Sequence, residues 1–153
     1  MTKLIDICDE AIAHCRWKSI LKNVLENSIM NLDDYLNKSF EEIFESVYNT
    51  CKEVKGIGLL TVYDIVAAIC RYYRINIEFV YIIGGGPVRA VKLLNLKTKT
   101  KTKRIGQISL KYVTREDVIN SFQTNNYEIN EYVKSSINGD DFESYICNWQ
   151  KNI

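Results

Sequence analysis

Two short stretches put glycine where chemistry on an anion becomes possible. In VKGIG, Gly56 and Gly58 stand one residue apart ahead of an apolar run, and Gly84, Gly85 and Gly86 precede Pro87 and a second such run. Glycine lets a turn approach a ligand closely, and the first amides of a helix carry partial positive charge, so each turn is an expected seat for phosphate. Lys55 and the Thr61 hydroxyl would add contacts at the first turn, and Arg89 and Lys92, one helical turn apart, at the second. A plain reversal between two helices accounts for either turn equally well on local sequence alone. Neither turn contains GxxxxGK[ST], which disfavours a nucleoside triphosphatase.

Other reactive side chains form weaker patterns. Cys8, His14 and Cys15 are candidate metal ligands, but there is no CxxC pair and no second histidine to complete four ligands, so no metal or other cofactor is expected. His14 and Cys15 are adjacent, and neighbouring helical residues point apart, which leaves nucleophilic catalysis without support. The five cysteines, Cys8, Cys15, Cys51, Cys70 and Cys147, are scattered at long spacings, as buried free thiols are in a reducing compartment. The carboxylate pairs Asp33 with Asp34, Glu41 with Glu42, and Asp140 with Asp141 could attract a metal, yet each reads better as a helix start or a solvated face.

The elements that must position these groups are mainly helical. Leu4, Ile7, Cys8, Ala11, Ile12, Cys15, Ile20 and Leu21 fall at spacings of three and four, an amphipathic stripe, and a break is expected between Asn27 and Asp34. Ser39 with Glu42 makes a capping box for a helix with Ile43, Val47 and Val54 inward, ending at Gly56. A further helix spans about 59 to 73, and RINIEFVYI is either a short helix or a strand. Pro87 suits the first turn of the helix that follows the second glycine turn. In LKTKTKTKR, Lys97, Lys99, Lys101 and Lys103 would share one face if extended, with no apolar face to bury, which indicates a solvated loop or hairpin arm. Thr114 with Asp117 opens another helix, and two more are expected near 128–137 and 140–151.

The fold class is thus mainly α, a compact multi-helix single domain over 1–153 with a short extended or hairpin arm near 96–113. Its sections are N-terminal helices over 1–55, two glycine turns with their helices over 46–95, the basic arm over 96–113 and C-terminal helices over 114–153. A chain of 153 residues, 46% hydrophobic and 25% charged, can bury about two thirds of its unfolded surface without an external staple. No apolar run reaches the length of a membrane span and the first residues are too mixed for a signal peptide, so a cytoplasmic protein with no membrane partner is expected.

The net charge of +1 hides a segregation along the chain. Residues 1–50 hold 5 basic and 9 acidic side chains, and residues 116–153 hold 2 and 7. Between them, residues 79–115 hold 9 basic and no acidic side chains: Arg89, Lys92, Lys97, Lys99, Lys101, Lys103, Arg104, Lys111 and Arg115. A compositional lysine bias would spread along the chain, so the block predicts a positive face.

At residues 46–73 the sequence resembles the helix-hairpin-helix element of DNA-binding and DNA-repair proteins. Gly56 and Gly58 stand at the element's two glycines, and Val54, Ile57, Ile65 and Ile69 where it wants apolar side chains. The resemblance covers about 25 residues and implies sequence-independent binding of nucleic-acid backbone, DNA in preference to RNA. The binding residues would be Lys55, Gly56, Gly58, Thr61, Gly85, Gly86, Arg89, Lys92, Lys97, Lys99, Lys101, Lys103 and Arg104. In the bifunctional glycosylases that carry this element, a lysine nucleophile lies two residues beyond the second glycine. That position is Leu60 here, which argues against a Schiff-base lyase. The family's aspartate position falls on Glu78 without its surrounding motif, so a glycosylase-like enzyme stands third. Second stands a protein-interaction module, such as an accessory subunit or phage-type inhibitor, whose basic segment docks an acidic partner.

Overall fold

The computed structural model describes residues 4–13, 15, 18–26 and 35–153, and these divide into two compact units, residues 1–75 and 76–153. The break expected at Asn27–Asp34, the pair Asp33 and Asp34, and His14 lie outside the described residues. Eight α-helices and one small antiparallel sheet make up the described residues.

The first unit is helical throughout. The N-terminal stripe forms two helices, α1 (Leu4–Cys8) and α2 (Lys18–Glu26), where one was expected. After Cys8 the backbone tightens, with the Ala13 and Cys15 amides donating to carbonyls three residues back, Glu10 and Ile12. The restart at Lys18 resets the phase of the stripe: Leu21 is fully buried while Ile20, one position earlier, is 51% exposed. The helix α3 (Phe40–Cys51) opens on the expected capping box, in which the Glu42 amide donates to Ser39 Oγ and the Ser39 amide to Glu42 Oε1, both at 3.2 Å. Ile43, Val47 and Cys51 of α3 point inward, and Phe40 meets the ring of Tyr63 edge-on. Tyr63 belongs to α4 (Leu59–Tyr73), which is buried on most of its circumference and packs against both α1 and α3. Arg74, at φ 56°, closes α4 in the left-handed conformation, and the Ile75 amide returns to the Cys70 carbonyl.

The second unit builds helices around a three-stranded sheet of order β1-β3-β2, comprising β1 (Val80–Tyr81), β2 (Lys101–Ile105) and β3 (Ile108–Val113). RINIEFVYI therefore contributes a strand, and the basic arm is one strand of a hairpin. Gly106, at φ 60°, occupies the first central position of a two-residue loop that pairs Ile105 with Ile108. The lead-in to β1 is held by Arg115, whose guanidinium donates to the carbonyls of Glu78 and Ser136 at 3.2 and 3.1 Å. The helix α5 (Gly85–Leu93) follows the second glycine turn, and α6 (Arg115–Thr124) opens on the expected box of Thr114 and Asp117. After the short α7 (Glu131–Lys134) comes α8 (Gly139–Trp149), which packs on α5 and β1. Val80 and Val113 of the sheet, Ala90 and Val91 of α5, Phe122 of α6, and Phe142 and Ile146 of α8 form one buried core.

All five cysteines are free thiols. Burial, then the neighbouring Cys51, pushes Cys8 up to about 12, and burial, then Cys15, pushes Cys51 up to about 11. Folding raises both above the ordinary 9.0, so the unfolded chain releases these protons first. The stability they contribute is full below about pH 9 and is lost as pH rises toward the folded values. In urea titrations the unfolding midpoint should therefore fall between pH 9 and 11. Folded protein should also protect Cys8 and Cys51 from iodoacetamide at pH 8, read by mass spectrometry, because alkylation requires the thiolate.

A second test concerns Gly139. A Cβ there would fall on the Phe79 carbonyl, which is backbone and unable to swing aside. Gly139→Ala should cost about 2 kcal/mol or more in chemical unfolding.

Candidate nucleic-acid interface

The first glycine turn, residues 52–58, is anchored from below and open above. Val54 is buried, while Lys55, Gly56 and Gly58 are exposed and Thr61 is half-buried. Ile65 and Ile69 of α4 are fully buried, while Ile57 in the turn is half-buried. The two glycines have different physical reasons. Gly56 sits at φ 86°, a conformation that strains any residue with a Cβ. Gly58 is the N-cap of α4 in ordinary extended backbone, φ −100° and ψ −178°, and a Cβ there would meet nothing within 4 Å. Neither backbone conformation nor packing requires a glycine at 58. No side chain caps α4, and Gly58 itself has none to offer its first amides.

The second turn divides its glycines differently. Gly84, at φ 86° and ψ 168°, occupies a region reserved for glycine. Gly86 is a packing glycine, because a Cβ would run into Cys147 Sγ of α8. Gly85, exposed and with nothing within 4 Å of a Cβ, is the first residue of α5, and the cap position is Gly84 itself. No side chain caps α5 at Gly84. Arg89 and Lys92 part company: the Arg89 guanidinium donates to Gln150 Oε1 at 3.2 Å and to the Ile153 carbonyl at 3.3 Å, holding the C-terminal 3₁₀ turn, whereas Lys92 is exposed.

The lysines do not share a face as the alternation suggested. Residues 97–99 form a 3₁₀ turn, in which the Lys99 amide and the Thr100 hydroxyl both donate to the Leu96 carbonyl, so extended backbone begins only at Lys101. Lys101 and Lys103 then lie on one face of β2, opposite Tyr112 and Leu110, and Lys103 Nζ stands 5.7 Å from the centre of the Phe79 ring. Thr102 and Arg104 lie on the other face, where Thr102 pairs with Lys111. Arg104 donates to the Gly106 carbonyl at 3.1 Å, bracing the hairpin loop.

On that second face a groove of about 480 Å³ opens between α5 and the hairpin. Lys92, Lys97 and Lys111 line it with the side chains of Thr100 and Thr102, and no carboxylate does. Sequence reasoning placed Lys111 in the basic block but not at a site. Its position follows from the β2–β3 register, which the hairpin loop at Gly106 sets and no periodicity announces.

The enzymatic candidates have simple placements. Leu60 is 45% exposed at the start of α4. Glu78 is exposed, and its backbone carbonyl is the group that Arg115 holds. Glu42 serves the α3 cap, and Asp141 accepts from Ser136 Oγ at 2.6 Å at the start of α8, so both pairs that are described act at helix ends. Among the described residues no group of three or more His, Cys, Asp or Glu side chains is arranged to hold a metal ion, and no helix is long and apolar enough to cross a membrane.

Comparisons with protein-family profiles, with curated proteins and with solved structures find no match to this chain.

The two glycines of the first turn should respond oppositely to substitution. Gly56→Ala should lower stability by about 1 kcal/mol because of its positive φ. Gly58→Ser, which supplies the missing cap in a conformation serine favours, should raise it by about 0.5 kcal/mol. Paired thermal and urea unfolding curves read both.

Proposed function

We propose that the protein binds the sugar-phosphate backbone of nucleic acid without regard to sequence, DNA in preference to RNA, through helix N-termini that begin on glycine and through the basic side chains of residues 92–111. The observation that carries this reading is Gly58. A helix start that neither packing nor backbone conformation obliges to be glycine leaves room for a phosphate to reach the first amides of α4. Lys55 and Thr61 flank that seat, as they would in the helix-hairpin-helix element that residues 46–73 resemble. Gly85, the first residue of α5, likewise puts no side chain over that helix end, with Lys92, Lys97, Lys99, Lys101, Lys103 and Arg104 in the same unit. Contacts of this kind touch no base edge, so they position a strand without reading it. A reducing cytoplasm suits a protein with five free thiols.

Fluorescence anisotropy with labelled duplexes of unrelated sequence tests the proposal. Affinity should be the same for each sequence and should fall with salt, log K against log[salt] losing about 0.9 per phosphate contacted. The variant Gly58→Asp separates fold from function. Its carboxylate caps α4 and suits the positive helix end, so the protein should melt at a higher temperature. The same carboxylate occupies the amides and repels phosphate, so DNA affinity should drop about tenfold or more. DNA affinity unchanged in Gly58→Asp, or no duplex binding at about 50 mM salt, would overturn the reading in favour of a protein partner for the basic segment.

A further inference from the structure

The groove beside α5 differs from the glycine turns in having a floor. Ile82 and Val91 are almost fully buried beneath it, and Val88, 41% exposed, forms part of its wall. Three lysines from three separate elements line it with this apolar surface: Lys92 from α5, Lys97 from the 3₁₀ turn and Lys111 from β3. We propose that this groove seats a nucleoside phosphate, with the base and sugar against Ile82, Val88 and Val91 and the phosphate among the three lysines.

The charge chooses the ligand class. Three cations with no carboxylate between them are an excess for one carboxylate anion, whereas a terminal phosphate is close to doubly charged and offers three acceptor oxygens. Hydroxyls shape the rest of the choice. Thr102 projects into the groove from β2, giving a sugar or base a polar neighbour; an acyl chain would want an enclosed apolar lining. A nucleoside phosphate reaches such a groove either free or as the phosphorylated end of a strand. The inference rests on the reading of the protein as a binder of nucleic acid, and adds to it a preference for ends.

The test uses the full chain and five probes: adenosine 5′-monophosphate, oligothymidylate with a 5′-phosphate, the same strand with a 5′-hydroxyl, covalently closed single-stranded circles, which have no ends, and a phosphoserine peptide. The phosphorylated strand should bind about tenfold more tightly than the hydroxyl-ended one. That ratio should fall to about one in Lys111→Ser, and likewise in Val88→Glu, an exposed position where a carboxylate faces the groove without burial. Adenosine 5′-monophosphate should displace the phosphorylated end; if it binds while the two strands bind alike, the groove serves free nucleotide and the proposal stands. Equal affinity for the two strands together with no binding of the mononucleotide overturns it, as does a preference for the phosphorylated strand that persists in both variants, or a phosphoserine peptide that binds more tightly than the nucleotide. Circles that bind while the two strands bind alike and the mononucleotide does not bind leave the backbone reading intact and remove the groove. Circles that fail while the mononucleotide binds do the reverse.

Discussion

A helix that starts on glycine keeps its first peptide N–H groups available to whatever lies outside the protein. Most helices cover these donors at once, as α3 and α6 do with Ser39 and Thr114, because uncovered amides cost stability unless water or a ligand serves them. Both kinds of start occur in this chain, so the absence of a side-chain cap at α4 and α5 is a local choice and not a feature of the sequence at large. Each turn needs one glycine for its backbone conformation, Gly56 or Gly84. At the first turn a separate glycine, Gly58, then leaves the end of α4 bare, whereas at the second Gly84 serves both as the strained residue and as the uncapped start of α5.

The basic arm depends on a different constraint, the pairing register of the hairpin. Because side chains alternate between sheet faces, the match of Ile105 with Ile108 across Gly106 decides which cations meet. It puts Lys111 beside Thr102 on the face toward α5, and sends Lys101 and Lys103 to the face that carries the stacked rings of Phe79 and Tyr112, 4.2 Å apart. A slip of one residue would exchange the two sets and dissolve the groove.

Much of the helical framework was legible in the sequence because its signals are local. The boxes at Ser39–Glu42 and Thr114–Asp117, the positive φ at Gly56 and the inward stripe of Ile43 and Val47 each depend on residues three or four apart. What escaped depends on distant partners or on competition between short motifs. Alternation in KTKTKTK suggested four lysines on one face, yet hydrogen bonds to the Leu96 carbonyl hold residues 97–99 in a 3₁₀ turn. Arg89 looked like a phosphate ligand by spacing, and only the fold brings Gln150 and Ile153 within its reach. Gly86 belonged to a glycine-rich motif, but the closeness of Cys147 gives it a packing role that no local pattern records.

The outer position of β2 bears on how copies of the protein behave together. Its far side has no partner strand among the described residues, and Lys101, Lys103 and Arg104 stand along it. An open strand of this sort invites another chain to zip onto it, and charge of one sign is a common natural defence. Two molecules brought side by side would turn these cations on one another, so their edges repel instead of zipping together.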